Sequence, residues 1–218
     1  FISFAGGNPS PQTFPNEILA DLSAEVLRNN GVSCLQYGVS NGQMPLRQYV
    51  AETMTAEQVP TAVENVVITS GSQQTLDLLA KAVINPGDRI LVESPTYVAA
   101  LKIFSIYGAE VVAVESDDEG IIPQALKEEL EKGPVKLIYL IPNFQNPTGI
   151  TLSLERRKEI MDIVQHYNVI VIEDDPYGKL RYSGEAVPHL KTMDPQGQVV
   201  YMGSFSKIIA PGLRVAYA

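Results

Sequence analysis

Leu137-Ile138-Tyr139-Leu140-Ile141 runs straight into Pro142-Asn143-Phe144-Gln145-Asn146-Pro147-Thr148-Gly149. Past Ser153 the stretch Leu154 to Tyr167 carries Ile160, Ile163 and Val164 at helical spacing, and a second apolar run follows at Val169 to Asp174. An apolar run of strand length, a polar turn, an amphipathic helix and another apolar run make a β-α-β unit. Both apolar runs lack polar alternation, as in strands covered by helices on each face of a parallel sheet.

Working outward, the same alternation fills the chain. Further strand-length runs lie at Val66 to Ser70, Arg89 to Glu93, Glu110 to Glu115, Val199 to Ser204 and Arg214 to Ala218. Between them, Gln74 to Ile84 places Leu76, Leu79, Ala80 and Val83 on one helical face. Pro95, Pro123 and Ser153 stand where helices are expected to begin. Ahead of the sheet, Pro15 to Asn30 reads as a helix closed by Gly31, and Pro45 to Ala56 as another. The acidic stretch Glu115 to Glu119 reads as a solvated turn. No repeat, low-complexity linker or domain boundary interrupts the strands. The expected architecture is α/β, a three-layer α/β/α sandwich with a mainly parallel sheet of about seven strands.

The 218 residues, 45% of them hydrophobic, are enough for one large domain, with or without a small appendage. A net charge of −9 without a basic stripe points away from nucleic acid and anionic membrane surfaces. Cys34 is the only cysteine, so no intramolecular disulfide or cysteine-based zinc cluster is available, and a cytoplasmic location is expected. His166 and His189 do not cluster in the sequence. No apolar run has the length of a membrane span, and the opening Phe1 to Gly7 lacks the charged region of a signal peptide. The absence of an initial methionine reads as the mark of a piece of a longer chain.

In open α/β sheets ligands bind beyond the carboxyl ends of the strands, so the polar residues there are the candidates. Ser70-Gly71-Ser72-Gln73-Gln74 is a small-residue turn entering a helix, which aims free N–H groups at an anion, although serine there is also an ordinary N-cap. Ser94-Pro95-Thr96-Tyr97 brings an aromatic ring to the same rim. The turn at Pro142 to Gly149 offers asparagines, and Glu173-Asp174-Asp175-Pro176-Tyr177 ends a strand on two carboxylates facing opposite ways. The sharpest feature is Gly203-Ser204-Phe205-Ser206-Lys207, followed by Pro211-Gly212-Leu213-Arg214. A lysine at the end of a buried strand has its pKa lowered by desolvation and by a nearby cation, which frees its amine for a Schiff base.

A phosphate, a flat pyridine ring, a ring nitrogen, a phenolic oxygen and an aldehyde would each find a partner here; these are the groups of pyridoxal phosphate. The sequence resembles fold-type I, class I aminotransferases, in particular the 2-aminoadipate and kynurenine aminotransferase subgroup, through Ser204 to Arg214 and several separated motifs along nearly the whole chain. The resemblance implies Lys207 as the Schiff-base lysine and Asp174 as the carboxylate that keeps the pyridine nitrogen protonated. It implies that Tyr97 stacks on the ring with a catalytic role, that Asn146 and Tyr177 bond the phenolic oxygen, and that Pro176 lines the cofactor site. Ser72, Gln73, Ser204, Ser206 and Arg214 would hold the phosphate. Tyr37 would reach the phosphate of a neighbouring subunit in a homodimer, and Gly7 and Asn146 would border the substrate.

The implied function is ping-pong transamination from an amino acid to a 2-oxo acid, 2-oxoglutarate being the expected acceptor. The implied organisation is an N-terminal helical segment over residues 1–60 packing on a cofactor-binding large domain over 61–218. The family's small C-terminal domain, with its substrate-carboxylate arginine, falls outside the chain. Two alternatives stay open: the effector-sensing domain of a transcription regulator, and a lyase, decarboxylase or synthase using the same lysine. A catalytically dead scaffold has no need of the complete set of contacting residues.

Overall fold

The computed structural model describes residues 6–218. Two helices come first, α1 (Asn16–Cys34) and α2 (Met44–Ala56). The sheet region follows as β1 (Ile68–Thr69), α3 (Ser72–Val83), β2 (Arg89–Glu93), α4 (Val98–Ile106) and β3 (Glu110–Val114). The chain continues through β4 (Ser116–Asp117), β5 (Gly120–Ile121), α5 (Pro123–Glu131), β6 (Leu137–Leu140), α6 (Leu154–Val164), β7 (Ile170–Asp175), β8 (Val199–Ser204) and β9 (Ala216–Tyr217).

Seven strands form one sheet in the order β1-β9-β8-β7-β6-β2-β3, and β9 alone runs against its neighbours. The alternation of side chains along each strand divides the core between two faces. Leu91, Ile138, Leu140 and Val171 pack with Leu126, Leu130, Ile160 and Val164 of α5 and α6. Ile90, Val92, Leu137, Tyr139 and Ile172 pack with Leu76, Ala80, Ala100 and Phe104 of α3 and α4. The expected three-layer α/β/α sandwich is the one found. A third cluster seats Val50, Ala51 and Met54 of α2 against Tyr201, Phe205 and Tyr217, while α1 buries none of its side chains.

Several local expectations are corrected. Helix α1 passes Gly31 and runs to Cys34, kinked at Asn30, because Gly31 does not take the positive φ that ends a helix. Pro95 does not open α4, which starts at Val98; Pro95 and Thr96 belong to the preceding turn. The stretch Glu115 to Glu119 is the exposed turn expected of it, at Asp118 and Glu119, and it closes the hairpin β4–β5, whose Asp117 and Glu119 carboxylates accept from Arg156 Nη2 of α6 at 3.1 and 2.9 Å. Strand β9 cannot begin at Arg214, whose backbone is left-handed (φ 52°, ψ 49°).

Connections leave β2 and β6 in opposite directions, to β3 on one side and β7 on the other, although the two strands are neighbours. That reversal opens a crevice at their carboxyl ends, where ligands of α/β sheets bind.

Candidate active site

A cavity of about 580 Å³ occupies this crevice. It gathers Gly7 of the N-terminal segment with Ser72, Gln73, Tyr97, Asn146, Asp174, Pro176, Tyr177, Ser204, Ser206, Lys207 and Arg214, which lie at or near the ends of β1, β2, β6, β7 and β8 and just ahead of β9. Of the candidates, only Tyr37 lies apart, 99% exposed.

Between β1 and α3, Gly71 adopts φ 93°, ψ 157°, a region open only to glycine. A Cβ there would run into the Arg214 guanidinium, 2.6 Å from its Cζ. The missing side chain is therefore what lets Arg214 lie beside the first turn of α3, whose leading N–H groups have no intrahelical acceptor. Arg214 itself donates to Ser70 O at 3.5 Å. Guanidinium, helix N-terminus and the Ser204 and Ser206 hydroxyls compose an anion cradle.

At the end of β7 the strand persists through both aspartates, so they face opposite ways. Asp175 turns away from the cavity and accepts from Gly178 N (2.9 Å) and the Tyr201 hydroxyl (3.2 Å). Asp174 faces the cavity. Its Oδ2 accepts from the Tyr139 hydroxyl at 2.6 Å, whereas Oδ1 is buried with no partner. Burial pushes its pKa up to about 7, against the Tyr139 hydrogen bond that lowers it. A cation on the Oδ1 side would restore its charge.

Lys207 closes the set just past β8. Its Nζ donates to Gly7 O at 2.7 Å and stands 6.0 Å from the centroid of the Tyr177 ring. Its pKa is lowered by burial.

The loop carrying Asn146 is held from beneath by Arg157, which is fully buried. Its Nη2 donates to Pro142 O (3.0 Å) and Asn143 Oδ1 (2.6 Å), Nε to Leu152 O (3.0 Å) and Nη1 to Pro188 O (3.0 Å). Asn143 is thus spent on the loop, and Asn146 is the asparagine that reaches the cavity. Gln145 ties this loop to the one after β2 by donating to Pro95 O at 2.8 Å.

Sequence reasoning missed Thr96, Ile141 and Pro147 in the cavity wall and Tyr139 behind Asp174. A signal for Tyr139 existed: a lone hydroxyl in the middle of an otherwise aliphatic buried strand must find a partner. Also missed was His189, on the far side of β7. Its Nε2 is 3.3 Å from Glu57 Oε2, and its Nδ1 lies 3.6 Å from Glu173 and 3.9 Å from Asp175, within charge contact. Burial opposes its charge, but these carboxylates prevail and lift its pKa to about 9.

The residues present fit one cofactor chemistry. A buried carboxylate oxygen without a partner, a lysine amine, a ring-sized space beside Tyr97 and an anion cradle share a single cavity. They match a cationic ring nitrogen, an aldehyde, an aromatic ring and a phosphate in turn.

The sequence pattern of the family "Aminotransferase class I and II" matches residues 2–218, and the chain belongs to that family. It is 48% identical over 222 residues to aromatic-amino-acid aminotransferase 1 of Thermococcus litoralis, covering 99% of this chain and 53% of that protein. Its fold superposes with a TM-score of 0.93 on a kynurenine aminotransferase of Pyrococcus horikoshii solved with PMP, at 42% identity over 99% of this chain and 55% of that one. An HTH-type transcriptional regulator of Bacillus subtilis also matches, 32% identical over 99% of this chain and 44% of its own length. The chain spans about half the length of the curated relatives it matches.

Proposed function

We propose that this chain is the pyridoxal-phosphate-binding part of an aminotransferase that moves an amino group from an amino acid to a 2-oxo acid, 2-oxoglutarate being the expected acceptor. The observation that carries the reading is the shared cavity of Lys207 and the unpartnered Asp174 oxygen. When bound, the cofactor supplies a carbonyl that condenses with amines and a ring that takes up the electron pair left at the substrate's α-carbon. Asp174 holds the proton on the ring nitrogen. Lys207 Nζ, its pKa lowered by burial, would take the α-proton from the amino acid as general base and hold it as the ammonium, the form in which it can serve as general acid. Tyr97 would cover the ring, Asn146 and Tyr177 would bond its phenolic oxygen, Pro176 would border it, and Ser72, Gln73, Ser204, Ser206 and Arg214 would hold the phosphate. Gly7 and Asn146 border the substrate.

The same reading divides the protein into an N-terminal segment over 1–60 and a large domain over 61–218. It also makes the working unit a homodimer in the cytoplasm, with exposed Tyr37 reaching the neighbouring subunit. No helix among the described residues is long and apolar enough to cross a membrane.

The test is a visible spectrum of the intact protein with added pyridoxal phosphate, beside its Lys207→Ala variant, with borohydride reduction and peptide mapping. The reading requires a band that depends on Lys207 and an adduct on that residue; an adduct elsewhere in a folded protein overturns it. Amino acid is then added. Release of a 2-oxo acid with conversion to pyridoxamine phosphate marks the enzyme, whereas a spectral shift without conversion favours the sensor reading that the regulator's similarity raises.

A further inference from the structure

We infer that Tyr139 is the positioning residue for Asp174: its hydroxyl anchors one carboxylate oxygen and thereby aims the other into the cavity, in the ionised form a cationic ring nitrogen needs. The inference rests on the cofactor reading above for its purpose, but the geometry stands without it.

Strands β6 and β7 are parallel, and Tyr139 is in register with Ile172. Asp174 lies one alternation further on the same face, so the tyrosine reaches it from the neighbouring strand. The ring has no freedom. It is fully buried among the helices α3 and α4 and packs edge-on against Phe104, with centroids 5.7 Å apart at 71°. The phenol stays protonated because burial and the facing Asp174 charge push its pKa well above 10, so it acts as the donor in the 2.6 Å bond to Oδ2. The carboxylate is pinned at one oxygen, and Oδ1 is left buried and unpartnered on a residue that lines the cavity.

The other groups facing Asp174 do not take over this task. Glu93 at the end of β2 is a carboxyl whose charge opposes ionisation of its neighbours, and its Oε2 is committed to Ile141 N at 2.9 Å. Asp175 raises the Asp174 pKa from the opposite face of β7. Tyr97 and Tyr177 line the cavity in front, and Lys207 bonds Gly7 O. Tyr139 is the side chain that hydrogen-bonds the carboxylate, and a bond donated to the charged form favours that form.

The test is Tyr139→Phe in the intact protein. The substitution keeps the ring and its contact with Phe104 and removes only the hydroxyl. The first readout is the Asp174 carboxyl titration followed by carbon-13 NMR in the cofactor-free protein, and the second is the dissociation constant for pyridoxal phosphate at pH 7.5. A bond to a charged group of ordinary strength corresponds to a rise of about one pH unit in the Asp174 pKa, with cofactor affinity about tenfold weaker. An unmoved Asp174 titration overturns the inference, as does a shifted titration with unchanged affinity. If the titration shifts but wild-type protein binds no pyridoxal phosphate, the cofactor reading fails and the anchoring of Asp174 stands. Should Tyr139→Phe fail to fold, 3-fluorotyrosine placed site-specifically at position 139 donates more strongly and must move the Asp174 pKa downward; an upward or absent shift refutes the anchor. Phe104→Leu loosens the packing that holds the ring but keeps the hydroxyl, so it must move that titration less than Tyr139→Phe does; an equal or larger shift marks a packing effect and overturns the inference.

Discussion

Replacing Gly71 by alanine separates two costs that the structure assigns to one Cβ. The backbone at φ 93°, ψ 157° is strained for any residue with a side chain, by about 1–3 kcal/mol. Alanine also stiffens the unfolded chain, which offsets about 0.4–1 kcal/mol, so the net loss of stability is about 1–2 kcal/mol. The second cost falls on Arg214, whose guanidinium occupies the space the methyl group would take. Pushed aside, it would lose the charge-assisted phosphate contact proposed for it, worth about 1.5–3 kcal/mol, or about ten- to a hundredfold in pyridoxal phosphate affinity. Urea unfolding of the cofactor-free protein reads the first cost and absorbance titration with pyridoxal phosphate reads the second. In an Arg214→Ala background, Gly71→Ala is expected to keep its stability cost and to add no further loss of affinity. An equal fall in affinity in both backgrounds would refute the reasoning, because the glycine would then serve the cofactor directly rather than by making room for the arginine.

The remaining expectations concern buried charge. His189 has a folded pKa of about 9 against an ordinary 6.5, so it contributes about 3 kcal/mol in full below pH 6.5, lost as pH rises through 9; His189→Gln should flatten that part of the urea-unfolding profile. Its partner Glu57 is lowered to about 2, chiefly by the His189 hydrogen bond, so its contribution is present above pH 4.5 and lost as pH falls through 2. Glu93 behaves in the opposite sense: burial raises it to about 7, the folded state holds a proton the unfolded state has released, and stability falls by about 3 kcal/mol between pH 4.5 and 7. Glu93→Gln should make that decline shallower in the cofactor-free protein, measured by melting temperature against pH, and leave the part that Asp174, also raised to about 7, contributes. Arg157→Met leaves three carbonyls and Asn143 without their buried donor and should cost about 3–5 kcal/mol by urea unfolding, with Arg157→Lys recovering only part because one ammonium cannot span four acceptors.

The alternation of short apolar runs with amphipathic stretches determined the sandwich, because strand and helix periodicities are local properties of ten or so residues. For the same reason the meeting of Ser72, Asp174 and Lys207 at one cavity was readable: each lies at or just past the carboxyl end of a strand, and parallel strands deliver those ends to one rim. Element ends were less accurate where a local signal met a tertiary one. Gly31 carries a helix-stop signal yet lies inside α1, and Arg214 falls in an expected strand yet is held in a left-handed turn ahead of β9.

Three features belong to the tertiary structure alone. Tyr139 meets Asp174 across 35 residues, His189 meets Glu57 across 132, and Gly71 makes room for Arg214, which bonds Ser70 across 144. Sequence spacing could place a lysine and an aspartate at the same sheet edge. It could not say which carboxylate oxygen would be anchored and which left facing the cavity, because that depends on the register of two strands and on a packed ring that permits one hydroxyl position.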